Sequence, residues 1–143
     1  MRILYILIII ILGFAAYVRL TPTDPARWNV APQAAAPGDT TEAGGFLAAR
    51  RITGSAAEVL QAFEQRALAT PRTTLIAGSV NAGLLTFQTR SLLWGFPDYT
   101  TVTVNDDLLI VYGRLRFGGS DMGVNQARIL GWLETLGPLT EPL

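Results

Sequence analysis

The 143-residue chain contains no histidine, no cysteine and no lysine. Without imidazole, no side chain has an ordinary pKa suited to proton transfer near neutrality, and no common zinc ligand remains except carboxylate. Serine triads, cysteine nucleophiles, lysine Schiff bases, iron–sulfur clusters and haem ligation by His or Cys are excluded within this chain, and no cofactor is expected. The lack of cysteine also excludes a disulfide, which fits any compartment. Net charge is lacking too: all eleven basic residues are arginines and they face eleven acids. No one-signed field exists to hold nucleic acid, so none is expected as a partner.

What is present is apolar. Half of the residues are hydrophobic and 15 % are charged, a composition that folds, and the length suits one domain. The first segment, MRILYILIIIILGFAAYVRL, is unbroken and apolar from Ile3 to Val18 between Arg2 and Arg19. About twenty residues cross a bilayer, while signal-peptide cores run about 7 to 15. The best cleavage position, Gly13 with Ala15, lies inside continuing apolar sequence, so residues 1–20 read as an uncleaved transmembrane anchor. Tyr17 then sits at the interface and Arg19 snorkels. Arg2 and the amino terminus compete with Arg19 and Arg27, so charge does not orient the segment.

Residues 21–45 are rich in Pro, Ala, Gly and Thr without a sustained period, and read as an extended linker, with Trp28 docking on the domain or at the membrane surface. Residues 46–143 form a single expected domain. FLAARRI, from Phe46, is a first strand. Gly54 to Thr70 is a helix, capped by Ser55 and Glu58, striped by Val59, Leu60, Phe63 and Ala67, and stopped by Pro71. Four strands follow at about Thr73–Val80, Leu84–Leu92, Asp98–Asn105 and Leu108–Phe117. Alternation turns Leu109, Val111, Leu115 and Phe117 one way and Tyr112, Arg114 and Arg116 the other. Met122 to Leu136 is a second helix, expected to turn Val124, Ala127, Leu130 and Leu133 toward the sheet. The expectation is an α+β fold: an antiparallel meander of four to five strands with two helices on one face, plus the N-terminal helix.

RFGGSDMGVNQAR, Arg116 to Arg128, is the most informative stretch. Ser120 or Asp121 can cap the second helix, which alone accounts for both. Asp121, Asn125, Arg128 and Trp132 recur at helical spacing as a second stripe. With Arg116, Gly118 and exposed N–H groups, this could bind a carboxylate or phosphate; equally, Arg128 or Arg116 could pair with Asp121 or Asp98. The phosphate loop and the dinucleotide fingerprint are both absent. RSLLWGFPDYT supplies secondary candidates in Arg90, Trp94 and Asp98, and the strand before the glycines adds Arg114. Its crowded apolar residues read either as a packed hairpin end or as a patch for a partner or lipid.

GFPDYTT and RLRFGGSDMGVNQARI resemble the bacterial and plastid proteins called domain of unknown function 1499. Gly118, Ser120, Asp121, Gly123, Val124, Asn125 and Arg128 match that family's Gly-x-Ser-Asp-x-Gly-Val-Asn-x-x-Arg run, and ATPRT from Ala69 is also similar. The likeness spans roughly Phe46 to Leu136. Where members carry Arg-Ser-x-Ser-Arg, this chain has Gly113, Arg114, Leu115 and Arg116. The resemblance implies a single-pass bacterial inner-membrane protein with its domain on the periplasmic side, and supplies no activity. The residues lead us to expect a non-enzymatic module whose arginine-bearing face contacts a protein partner or anionic lipid headgroup. The alternatives are a hydrolase using Ser120 with Asp121 or Asp98, and a carrier of an apolar small molecule between sheet and helices. Oligomeric state is open.

Overall fold

The computed structural model describes residues 1–143. Helix α1 (Arg2–Leu20) is followed by a four-residue helix α2 (Pro25–Trp28) and strands β1 (Gly38–Glu42) and β2 (Gly45–Arg51). Helix α3 (Ala56–Leu68), strands β3 (Thr73–Ser79), β4 (Leu84–Arg90), β5 (Pro97–Asn105) and β6 (Leu108–Leu115), and helix α4 (Val124–Thr135) complete it, with a short 3₁₀ turn at Gly137–Leu139. The strands form one antiparallel sheet in the order β1-β2-β6-β5-β4-β3. The α+β expectation holds, with six strands rather than four or five.

Local chemistry explains most elements. The Ser55 hydroxyl accepts from the Glu58 N–H while the Glu58 carboxylate accepts from the Ser55 N–H, closing the start of α3. Its buried face is Val59, Leu60, Phe63 and Ala67, as the spacing predicts. β5 is a Thr/Val run, whose branched side chains suit a pleated surface.

Both α3 and α4 cover one face of the sheet. There Phe46, Phe63, Phe87, Val102, Val111, Ile129 and Trp132 form the main core, with the Trp132 ring edge-on to Phe63 at 5.5 Å. Each such side chain stabilises the fold by about 2 kcal/mol through burial. α4 is rotated from the expected phase. Val124 is 48 % exposed, and the inward residues are Asn125, Ile129, Trp132 and Leu133. The apolar stripe misled because polar Asn125 and Arg128 find buried partners.

The segment expected as an extended linker is also structured. β1 arises from GDTTE, which has no apolar alternation, by pairing along β2 from Gly38↔Ala49 to Glu42↔Gly45. Upstream, residues 22–29 lie across the sheet face opposite the helices as a strap, described below. That face is consequently not an open surface: Thr86, Thr101, Tyr99 and Ile110 are fully buried.

One core position is imperfect. Thr100 on β5 is 1 % exposed and its hydroxyl has no hydrogen-bond partner. A buried orphan hydroxyl costs about 1–3 kcal/mol. Thr100→Val, nearly equal in shape, is therefore expected to raise the unfolding free energy by about 1 kcal/mol. The check is the urea midpoint, which moves up; an unchanged or lower midpoint would show the hydroxyl to be satisfied.

Candidate functional site

The structure divides the expected site residues between the two faces of the sheet. On β6, Arg114 and Arg116 share a face with Tyr112, as alternation requires, and that face carries the strap. Arg128 lies on α4, over the opposite face. Arg116 and Arg128 therefore do not form one site.

On the strap face each guanidinium is taken up by the chain itself. Arg116 donates to the Pro22 carbonyl at 3.0 Å, to the Tyr99 hydroxyl at 3.2 Å and to the Thr23 hydroxyl at 3.3 Å. Arg114 donates to the Thr101 hydroxyl at 2.7 Å, the Tyr112 carbonyl at 3.2 Å and the Trp28 carbonyl. Burial lowers the Arg114 pKa from its ordinary value. The Trp28 ring stacks on Tyr99, with centroids 4.1 Å apart, and lies under Arg114 at 5.3 Å. Asn29 accepts from Thr86 at 2.9 Å. Arg90 donates to the Gly95 carbonyl at 2.8 Å and to the Arg19 carbonyl at 3.4 Å. None of these three arginines has a carboxylate partner; they fasten the segment after α1 to the sheet.

On the helix face, Asp98, Asn125 and Arg128 do come together. Arg128 donates to the Asn125 side-chain oxygen at 3.0 Å and meets the Asp98 carboxylate at 3.5 Å, a distance at which Asn125 also donates to it. Both charged side chains are mostly buried, 13 % exposed for Arg128 and 15 % for Asp98. Burial raises the Asp98 pKa despite Arg128, and burial lowers that of Arg128 despite Asp98. Both shifts point the same way: desolvation outweighs the attraction. Gly113 makes room for the cluster, since a Cβ there would stand 2.8 Å from both the Asn125 side-chain oxygen and the Ile129 methyl. Composition gave no signal for Gly113, Tyr99 or Thr23 as positioning residues. The registers Gly113↔Thr100 and Tyr99↔Arg114 expose the first two, and the Thr23 hydroxyl's contacts with Gln88, Tyr99 and Arg116 expose the third.

The loop from Arg116 to Gly123 makes the start of α4. Asp121 accepts from the Gly123 N–H at 3.1 Å and the Asn125 N–H at 2.9 Å. Burial pushes its pKa up, but these hydrogen bonds win and hold it below the ordinary carboxylate range. The Ser120 hydroxyl accepts from the Met122 N–H at 3.2 Å. Asp121 thus ties the loop to the first turn of α4, whereas Ser120 closes a turn within the loop; the helix's own N-cap is Gly123, which carries no side-chain cap. Gly118 (φ 97°) and Gly123 (φ 80°) occupy the left-handed region that this turn requires.

The same loop borders a cleft of about 440 Å³. Its polar wall is Asp98, Ser120, Asp121 and Ser91, and its apolar wall is Phe14, Phe96, Leu115, Phe117, Met122 and Val124. Phe14 belongs to α1, whose foot is docked on the head. Val18 is buried, the Phe14 and Phe96 rings meet at 6.1 Å, as do those of Tyr17 and Phe117, and Arg19 donates to the carbonyls of Leu93 and Trp94. Trp94 stands beside Ile10, Ile11 and Phe14 of α1.

A family model described as "Protein of unknown function (DUF1499)" matches residues 18–136. The chain belongs to the DUF1499 family. The matched span of this DUF1499 chain starts at the foot of α1 and ends just past α4, so it takes in the strap, β1 and the whole cleft loop. No curated protein matches the chain. α1 is the one helix long and apolar enough to cross a membrane, with a mean hydropathy of 2.5, and a signal sequence meets the same criteria.

Proposed function

We propose that the protein is a non-enzymatic binding module held by α1 in a bacterial inner membrane, with its α+β head on the periplasmic side. Its binding site is the cleft beside α1, and the ligand is an uncharged amphipathic molecule. One observation carries this reading: the cleft has one wall from the apolar helix and the other from the Ser120–Asp121 loop and Asp98. An apolar chain can lie along Phe14, Phe96 and Phe117 while hydroxyl groups donate to the two carboxylates.

The sign of those carboxylates disfavours an anionic headgroup; Arg90, Arg114 and Arg116 are occupied by carbonyls and hydroxyls, and Arg128 by Asn125 and Asp98. The hydrolase alternative needs a carboxylate to take the Ser120 proton, but the Asp98 and Asp121 carboxylates are bonded to Arg128, Asn125 and Gly123, and the one partner of the Ser120 hydroxyl is the Met122 N–H. A carrier cavity between sheet and helices would occupy space that the main core fills.

Native mass spectrometry of the full chain in a maltoside detergent tests the proposal, with monoolein and lysophosphatidylglycerol as probes. The expected result is an adduct with monoolein alone, lost in Ser120→Trp, which fills the cleft. Equal retention of the anionic probe, or undiminished monoolein binding by Ser120→Trp, would overturn the site. Release of oleate from monoolein would overturn the non-enzymatic reading.

A further inference from the structure

The apolar run of α1 between its two arginines, Ile3 to Val18, has sixteen residues and is about 24 Å long. A bilayer's hydrocarbon core is about 30 Å thick. The run is already short, so a spanning α1 must use all of it, including the stretch from Phe14 to Val18 that packs on the head. Whatever lies beside that stretch shares its depth. Phe14 is five residues from Arg19, about 7 Å along the axis, and Ile10 is nine residues away, about 14 Å. Phe96 and Phe117 stand at the level of Phe14 and Tyr17, and Trp94 stands beside Ile10, Ile11 and Phe14.

We infer that the β4–β5 loop, Ser91 to Phe96, is immersed in the bilayer with the foot of α1, and that its occupant is lipid acyl chain. This rests on the reading of α1 as a membrane anchor. Leu92 and Leu93 are 77 % and 75 % exposed, and the nearby Met122 is 91 % exposed. Three large apolar side chains pointing outward on the side of the apolar helix are costly in water and favourable in lipid.

The loop's backbone is paired at five of its six carbonyls, while the N–H groups of Leu92, Leu93 and Trp94 have no partner within the chain, which suits the boundary between headgroups and acyl chains rather than the centre of the bilayer. Irregular chain survives at membrane depth only when its polar groups are paired internally. Here the Ser91 carbonyl accepts from the Gly95 N–H and the Phe96 carbonyl from the Ser91 N–H, while the Phe96 N–H donates to the Ser91 hydroxyl at 2.9 Å. Arg19 takes the carbonyls of Leu93 and Trp94, and Arg90 takes that of Gly95. Gly95, at φ 73°, leaves the space that Arg19 fills, since a Cβ there would stand 3.0 Å from the Arg19 Nε.

The absence of cysteine makes a direct test available. Single variants Leu92→Cys, Leu93→Cys, Ile8→Cys and Asn81→Cys of the full chain are labelled with a nitroxide and reconstituted in phosphatidylcholine–phosphatidylglycerol vesicles. Accessibility to oxygen, which concentrates in lipid, is compared with accessibility to a water-soluble nickel chelate. Labels at Ile8, Leu92 and Leu93 are expected to favour oxygen, and the label at Asn81, in the β3–β4 turn at the far end of the sheet, to favour nickel. Nickel access at Leu92 and Leu93 with oxygen preference at Ile8 overturns the inference and leaves the anchor intact. Nickel access at Ile8 overturns both. Protection of Leu92 and Leu93 from both reagents overturns it in favour of a second copy of the chain.

Discussion

Asp98→Ala is expected to cost about 3 kcal/mol of stability, because it leaves the Arg128 guanidinium buried under α4 without its counter-charge. Removing the charges together has a different outcome. Burial outweighs attraction for both partners, so the pair is not a net source of stability, and Asp98→Leu with Arg128→Met should recover most of the loss. Urea unfolding of the detergent-solubilised chain, followed by tryptophan fluorescence, measures both. If the double variant is as unstable as Asp98→Ala, the pair is favourable and the argument from desolvation fails.

Acidity separates the two carboxylates of the cleft. The folded-state pKa of Asp98 is raised, so the folded state binds its proton first and the stability contributed grows as pH falls through that raised value. Asp121 is depressed, so its contribution is present above its unfolded value and is lost as pH falls through the folded one. Between neutrality and about pH 4, wild type should therefore gain stability relative to Asp98→Asn. Below about pH 4 it should instead lose stability relative to Asp121→Asn, the two running parallel above that pH. Parallel curves for wild type and Asp98→Asn would contradict the assigned burial.

The second large effect belongs to the strap. Trp28→Ala removes the ring that stacks on Tyr99 and lies under Arg114. A half-buried aromatic of this kind holds its segment with about 2 kcal/mol. Cleavage after the exposed Arg27 samples local opening, so trypsin should cut the variant about thirtyfold faster, that free energy expressed as a population ratio. Global unfolding should shift less, because α3, α4 and the main core do not touch Trp28. Unchanged cleavage at Arg27 would mean that the Arg114 and Arg116 hydrogen bonds hold the strap without the ring.

Elements whose signals are local were legible in the sequence. α3 carries both its cap, Ser55 with Glu58, and a regular apolar stripe, and β4 to β6 alternate or branch. β1 was not legible: GDTTE contains no apolar residue, and β2 supplies the edge that makes it a strand. The phase of α4 was hidden because hydrophobicity ranks Val124 above Asn125, whereas Gly113 and Asp98 make the buried position a polar one. The site suffered from the same blindness. Alternation had already assigned Arg116 to the face of Arg114, but nothing local indicated that α4 would place Arg128 over the other face. Trp28 stood out in residues 21–35 as a ring that would dock on the domain or the membrane surface, but nothing there announced that Pro22 and Thr23 would be partners of Arg116.

Because the foot of α1 is clamped by Arg19 and Arg90, and the next eight residues are pinned across the sheet, the head has no flexible stalk on which to swing. With α1 in a bilayer, its orientation to the surface would be fixed and its height constant. Encounters would then come from lateral diffusion in the plane of the membrane, and a target more than one head-length above the lipid would lie beyond reach.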